Sequence, residues 1–414
     1  MGGDSIAIAG GGPVGLIAAL AFGLDGHDVT VFEAAEAPST APRAIVYLNP
    51  LLPDLDRLGL LADMKARGHV DHEGFNMHLV ALGEVLSAPN SVLDGVVAHP
   101  YNVHLGQGDV CQIALEHLGR LPNVDIRFGQ RVTGLGQHGG GVTLTVDDRG
   151  SRGTHRAGWV IGADGGRSTV RELIGATADG MTWDERFVAT NVYVDFRSLG
   201  MKSSNMYTHP TLGAIIADID GKGRWRVTFQ EDASLPAETA RERIDAYFRD
   251  LLPALNAPDA AYELEAFTPY RMHQRLSTKL RDGRVTLAGD AAHLTNPTGG
   301  LGLTGGIYDV MALHEGLSAL IGGRAGAEVL DRYAAERSKT FNEVISPAAS
   351  HLKNIVYGGH DAAALRELTE PMREATRDAE SQRAMLLGLD GVRSPSLLAD
   401  PAPVPADRAG SGRP

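Results

Sequence analysis

Cysteine is almost absent: Cys111 is the only one in 414 residues, which excludes an internal disulfide and a cysteine-rich zinc site. A lone thiol suits a reducing compartment, and a cytoplasmic protein is expected. Long apolar runs are missing as well. The charge-free stretch over residues 5–24 superficially resembles a signal peptide. However, Asp4 precedes it, no basic segment leads it, and Gly10-Gly11-Gly12-Pro13 interrupts it. No other segment approaches the ~18 apolar residues of a membrane span, so none is expected. Clustered positive charge is also lacking. Lys and Arg number 38 against 51 Asp and Glu, a net charge of −13, which argues against nucleic acid as a partner. There is no G-x-S-x-G elbow and no H-E-x-x-H helix. His69 and His72 have no further ligands in sequence and predict a solvated loop, so no metal is expected.

What remains is an ordinary globular balance, 43% hydrophobic and 21% charged, long enough for two or three domains. Residues 5–9 predict a buried strand, 13–24 an Ala- and Leu-rich helix with Pro at its first turn, and 28–33 a second strand. Together these make a βαβ unit. Helices are expected over 51–61, 109–118, 237–252, 302–320, 329–345 and 362–389. Strands are expected over 75–80, 101–105, 142–146, 159–163, 262–267 and 284–288. Between 187 and 229 the pattern changes to strands (187–196, 213–219, 224–229) joined by Gly-rich turns. This suggests an antiparallel sheet inserted into an α/β framework. The proline-rich stretch from Ser394 onward predicts disorder.

Gly10-x-Gly12-x-x-Gly15 follows a predicted strand and opens a predicted helix, and Glu33 ends the next strand eighteen residues on. The first glycine allows the tight turn, the second lets backbone approach a pyrophosphate, and the third permits close helix–strand packing. The acid accepts from ribose hydroxyls, and the helix N-terminus supplies positive potential. This context separates it from Gly134-x-Gly136-x-x-Gly139, which precedes a strand and reads as a hairpin loop. The fingerprint alone does not distinguish NAD from FAD.

Two further motifs do. Asp164-Gly165-x-Arg167-Ser168-x-Val170-Arg171 and Gly289-Asp290-Ala291-Ala292-His293 resemble the DG and GD motifs of the FAD-dependent aromatic hydroxylases. These are the group A flavoprotein monooxygenases of the p-hydroxybenzoate hydroxylase type. The resemblance spans roughly residues 5–345. It implies an α/β fold: a Rossmann-type FAD-binding domain, an inserted antiparallel β-sheet substrate domain and a C-terminal helical region. The FAD-binding domain would be discontinuous (1–70, 98–180 and 270–350). The substrate domain would comprise 71–97 and 181–269, followed by a helical segment at 351–393 and a disordered tail at 394–414.

The same resemblance implies site residues. Gly10, Gly12, Pro13, Val14, Gly15 and Glu33 would hold the adenosine and pyrophosphate, with Val132 presenting backbone to the adenine. Gly289 and Asp290 would meet the ribityl chain, the alternative being a helix-capping aspartate. Arg43 and Gln107 would contact FAD; Arg43 otherwise reads as a surface charge, and Cys111 stands where the family often has Glu. Pro297, Gly300, Gly302 and Leu303 match the segment beside the isoalloxazine ring. There Leu301 replaces a frequent Gln, and a helix N-terminus would face reduced flavin. Asp164 would serve both FAD and NAD(P)H.

The implied reaction uses FAD, O2 and NADH or NADPH to hydroxylate a phenolic or heteroaromatic small molecule through a flavin C4a-hydroperoxide. A phenol calls for a nearby base. Tyr193, Tyr207, His209 and Trp225 are candidates for the substrate pocket, although each also suits ordinary packing. The apolar run 213–217 suggests a pocket wall. The resemblance leaves open a related epoxidase, reductase or halogenase, although a W-x-W-x-I-P segment is missing. It also leaves open a non-catalytic flavin-binding module. A monomer or homodimer is expected.

Overall fold

The computed structural model describes residues 4–398. A six-stranded sheet carries the βαβ unit. Its strands run in the order Arg281–Asp282, Val285–Leu287, Trp159–Gly162, Ile6–Ala9, Val29–Glu33, Val124–Phe128, and all neighbours are parallel except the first pair. Strand alternation assigns the two faces. Ile6, Ile8, Val29, Val31 and Ile161 point to one side, where they meet helices Pro13–Leu24, Gln107–Leu118 and Leu301–Ile321. Ala7, Ala9, Phe32 and Val160 point to the other, beneath a three-stranded antiparallel meander spanning 130–157. Helix Pro13–Leu24 is buried almost all round because it is wedged between its two helical neighbours, so it needs no polar face.

The second sheet has eight strands: His293–Leu294, Glu263–Ser277, Ala178–Tyr193, Arg224–Asp232, Ala214–Asp218, Ser204–Thr208, Phe75–Leu79 and Glu84–Ala88. Its pairs are antiparallel except where Ser204–Thr208 lies parallel to Phe75–Leu79. One face presents Val188, Trp225, Val227 and Phe229 to helix Ala240–Ala254. The opposite face looks toward the first sheet and encloses a cavity. The two longest strands cross the expected domain boundaries at 181 and 270 and tie the two sheets together.

Several boundaries differ from the sequence expectation. The helix expected over 51–61 is two short helices, Leu52–Arg57 and Leu61–Arg67, because Gly59 adopts a left-handed conformation (φ +79°) between them. Strands Glu84–Ala88, Val124–Phe128, Gln130–His138, Ser151–Ala157 and Ser204–Thr208 lie where the sequence pattern predicts none, and Gln130–His138 carries Gly134 and Gly136 within a strand rather than in the expected hairpin loop. The helix expected over 362–389 breaks where Asp378 caps a second helix, accepting from the Ser381 N–H. The start of the expected disordered tail is packed. Leu397 is buried against Gly316, its N–H donates to Glu315 Oε2 at 2.8 Å, and Ser396 Oγ donates to Glu315 Oε1 at 2.6 Å. The remainder of that expectation, 399–414, lies outside the described residues. No described helix is long and apolar enough to cross a membrane.

Candidate active site

The fingerprint turn shows three glycines under three different constraints. Gly10 has φ +110°, and a Cβ there would collide with the Ala163 carbonyl on the neighbouring strand. A Cβ on Gly15 would collide with the Gly10 carbonyl, so helix and turn pack at backbone distance. Gly12 is different: nothing lies within 4 Å of the position its Cβ would take, and the residue borders open cavity. Glu33 holds the turn from the next strand, accepting from Gly11 N at 2.6 Å and Ala35 N at 2.7 Å.

The segment around residue 290 lies directly on this turn. A Cβ on Gly289, which has φ +61°, would sit 2.9 Å from Val14 Cγ2, and Gly306 is equally close to the same side chain. Gly289 N donates to Asp309 Oδ2 at 2.8 Å. Asp309 is fully buried, paired with Arg337 Nε at 2.6 Å, and lies 2.8 Å from His293 Nε2. Burial works against its charge, but His293 and Arg337 outweigh it and hold the carboxyl at about 2. A buried ion pair therefore anchors the loop that presents Asp290. Asp290 itself is exposed only in the sense that it opens onto the cavity; protein surrounds it otherwise, and burial raises its carboxyl above the ordinary range.

The cavity measures about 570 Å³ and lies between the two sheets. Gly12, Pro13, Val14, Arg43, Gln107, Asp290, Pro297, Gly300, Gly302 and Leu303 all border it. Residues nearly 300 positions apart in sequence thus share one wall. Gly299 and Gly300 are left-handed (φ +94° and +73°), and helix Leu301–Ile321 starts from them with its N-terminus at the cavity. Gly10, Gly15, Glu33, Val132, Asp164 and Gly289 are not part of this lining. Val132 packs its side chain into the core under the meander. Asp164 accepts from Ser168 Oγ and, at 3.0 Å, from Val170 N, so it reinforces the start of helix Thr169–Leu173, which Ser168 caps by accepting from Arg171 N. Burial raises its carboxyl, and those donors offset only part of the effect.

The four aromatic and histidine candidates are not in the lining. Tyr207 and Trp225 point to the helix-covered face of the second sheet. Tyr193 is exposed near Glu265, and the His209 ring accepts from Thr211 N and Leu212 N in a turn. Their immediate neighbours face the cavity instead: Met206 and Arg226, with Ile215, Ala217 and Thr228 on the same face. Alternation would have put each pair on opposite faces, but nothing in the sequence says which face is open.

Arg226 is the unexpected feature. It is buried, and its partners are neutral acceptors: Asn191 Oδ1, at 3.0 Å from Nε and 2.8 Å from Nη2, and the Arg43 carbonyl. Burial without a contacting carboxylate lowers its pKa to about 10, so it remains a cation. Arg43 lies over the Tyr270 ring, 5.3 Å from its centroid. Burial pushes the Tyr270 phenol up to about 12. The lining therefore carries Arg43, Arg226, Arg271 and His273 against one acid, Asp290.

A glycine-lined cradle, two helix N-termini and an arginine-rich wall fit a large anionic cofactor. A sequence profile of the FAD binding domain family matches residues 4–348. The chain is 41% identical to 6-hydroxy-3-succinoylpyridine 3-monooxygenase from Pseudomonas putida, over 95% of this chain and 98% of that protein. It is also 41% identical to para-nitrophenol 4-monooxygenase from a Pseudomonas strain, over 94% and 95% respectively. The crystal structure of p-nitrophenol 4-monooxygenase from P. putida matches with a TM-score of 0.88 and 38% identity, covering 94% of this chain and 98% of that one. Aklavinone-11 hydroxylase, solved with FAD and aklavinone, matches with a TM-score of 0.75 and 26% identity, over 88% of this chain and 71% of that one. The chain belongs to the FAD binding domain family and, within it, to the FAD-dependent aromatic monooxygenases.

Proposed function

We propose that the protein hydroxylates a single-ring phenol or hydroxypyridine bearing an electron-withdrawing or anionic substituent, with NADH or NADPH as reductant. The observation that carries this is the wall of the second sheet. Met206, Ile215 and Ala217 form an apolar surface, and Arg226 is a buried cation in it without a contacting carboxylate. An apolar ring fits the first, and negative charge on the ring or its substituent fits the second. Both relatives at 41% identity are named for hydroxyl-bearing single rings of this kind.

In this reading FAD runs from the fingerprint to the helix at Leu301. The backbone N–H groups of Gly12 and Val14 would meet the pyrophosphate, with Pro13 between them lacking one, and Glu33 the adenosine ribose. Val132 would offer backbone to the adenine. Arg43, Gln107 and Asp290 would hold the middle of the cofactor, with Asp164 behind them. Pro297, Gly300, Gly302 and Leu303 would lie along the ring. Bound FAD supplies electron transfer from the nicotinamide and the activation of O2. The chain's groups bind and orient the substrate, exclude water and hold negative charge. The segments 71–97 and 181–269 act as the substrate-binding part and the rest of 1–350 as the FAD-binding part, flanked by the helices of 351–393. A cytoplasmic location is in keeping with a single, buried Cys111, and in this reading the protein is a monomer or homodimer.

The test is a screen of single-ring phenols and hydroxypyridines for nicotinamide oxidation under isotopically labelled dioxygen, with products weighed by mass spectrometry. One labelled oxygen atom per product is expected. Products without label, or peroxide alone, would overturn the reading.

A further inference from the structure

Hydroxylating a phenol is easier from the phenolate, yet none of the aromatic or histidine candidates chosen from the sequence reaches the cavity. A different group does, at second hand. Ser204 lines the cavity, and its Oγ lies 3.2 Å from Nε2 of His104. His104 is fully buried, and its Nδ1 lies 2.6 Å from the backbone carbonyl of Asp218. A carbonyl can only accept, so Nδ1 carries the hydrogen, and in its neutral form the ring offers a bare Nε2. Ser204 must then donate its hydroxyl hydrogen to that nitrogen. On the far side, Nε2 is 3.5 Å from Oδ2 of the equally buried Asp71.

We propose that Ser204, His104 and Asp71 form a proton relay that takes the hydroxyl proton of a phenolic or hydroxypyridine substrate out of the cavity. The inference rests on the phenolic reading above. The transfer balances without any co-reactant. The substrate O–H gives its proton to Ser204 Oγ as the Ser204 hydroxyl proton passes to His104 Nε2. Phenolate remains in the cavity and imidazolium forms beside the Asp71 carboxylate. The Asp71 carboxylate is held in place by the N–H groups of Glu73 and Gly74, which donate to its Oδ1 at 2.9 and 3.2 Å. Asn102 Nδ2 donates to Asp71 Oδ2 at 3.4 Å.

The surroundings of His104 carry few other charges. His69 sits edge-on at 5.8 Å between centroids, on the same strand as Asp71, and burial lowers its pKa. Asp218 directs its carboxylate away, to Arg197 at 3.1 Å and to the N–H groups of Asp220 and Gly221. Serine is the group that would touch substrate; His104 and Asp71 act through it.

The experiment uses FAD-loaded wild type, Ser204→Ala and His104→Gln with three phenols of graded acidity: para-nitrophenol, 4-chlorophenol and 4-methylphenol. Wild type should show turnover nearly independent of phenol acidity. Both variants should lose at least tenfold on the least acidic phenol at neutral pH, lose least on para-nitrophenol, and recover as pH rises past the pKa of each phenol. Difference spectra of bound para-nitrophenol should show phenolate at a lower pH in wild type than in either variant. Equal losses on all three phenols at all pH values, with unchanged difference spectra, would reduce these residues to structural ones and overturn the relay. If His104→Gln does not retain FAD, Ser204→Ala alone decides by the same criteria. Wild type inactive on all three phenols would instead remove the phenolic reading, and the relay with it.

Discussion

Arg171 donates from Nη1 to the carbonyl of Ala291 at 3.1 Å, and so joins two motifs 120 residues apart. Its Nη2 donates to Gly166 at 2.7 Å, inside the Asp164 loop. One planar fork thus sets the spacing between the loop that carries Asp164 and the loop that carries Asp290. Arg171 does not line the cavity. Arg171→Met is therefore expected to leave two carbonyls without their donor, cost about 2 kcal/mol of stability, and weaken FAD binding indirectly. Thermal unfolding and fluorescence titration with FAD measure both. Unchanged FAD affinity in a destabilised variant would show that the two loops hold their spacing without it.

The fingerprint glycines are expected to separate fold from ligand. Gly12→Val adds a side chain in open cavity space, so the apoprotein should unfold within a degree or two of wild type while FAD affinity falls at least a hundredfold. Gly15→Ala meets the Gly10 carbonyl and should destabilise the apoprotein by about 2 kcal/mol through forced backbone displacement. If Gly12→Val binds FAD like wild type, the cofactor does not pass over Gly12.

These contrasts also show what could be read from the sequence. Backbone constraints appear directly as glycines, so the turn at Gly10, the left-handed loop at Gly299–Gly300 ahead of helix Leu301–Ile321 and the order of the motifs are legible. The cavity wall is not. Met206 and Tyr207, or Arg226 and Trp225, occupy opposite faces of one sheet, and the chain records alternation without recording which face a helix covers. The larger aromatic of each pair is the more conspicuous in the sequence, but helix Ala240–Ala254 buries it. His104 was invisible for another reason. Its burial comes from pairing with His69, thirty-five residues earlier, and from a strand at Ser204 that polar residues disguise.

The buried pair of Asp309 and Arg337 gives a stability prediction with a definite sign. Asp309→Asn leaves a guanidinium in the interior without its carboxylate and should cost about 3 kcal/mol or more. The native carboxyl, held at about 2, lies below its value of ~4 in the unfolded chain. Its contribution is therefore complete above pH ~4 and is lost as pH falls from there through the native value. Chemical unfolding measured from neutral pH downward should show wild type losing stability through that window faster than Asp309→Asn. Parallel curves would assign the acid loss to other carboxylates.

Asp290 should behave in the opposite sense. Burial raises its carboxyl in the folded apoprotein. The fold is therefore not penalised below the unfolded value of ~4, where the group is protonated in both states, and is penalised once pH rises through the raised native value. Asp290→Asn removes that penalty. The variant apoprotein should melt above wild type at neutral pH, and the two curves should converge in acid. FAD affinity should move the other way, falling about tenfold as a charged acceptor is replaced by a neutral one. A variant that melts below wild type at neutral pH, or that keeps full FAD affinity, would mean that Asp290 supports the loop rather than the cofactor.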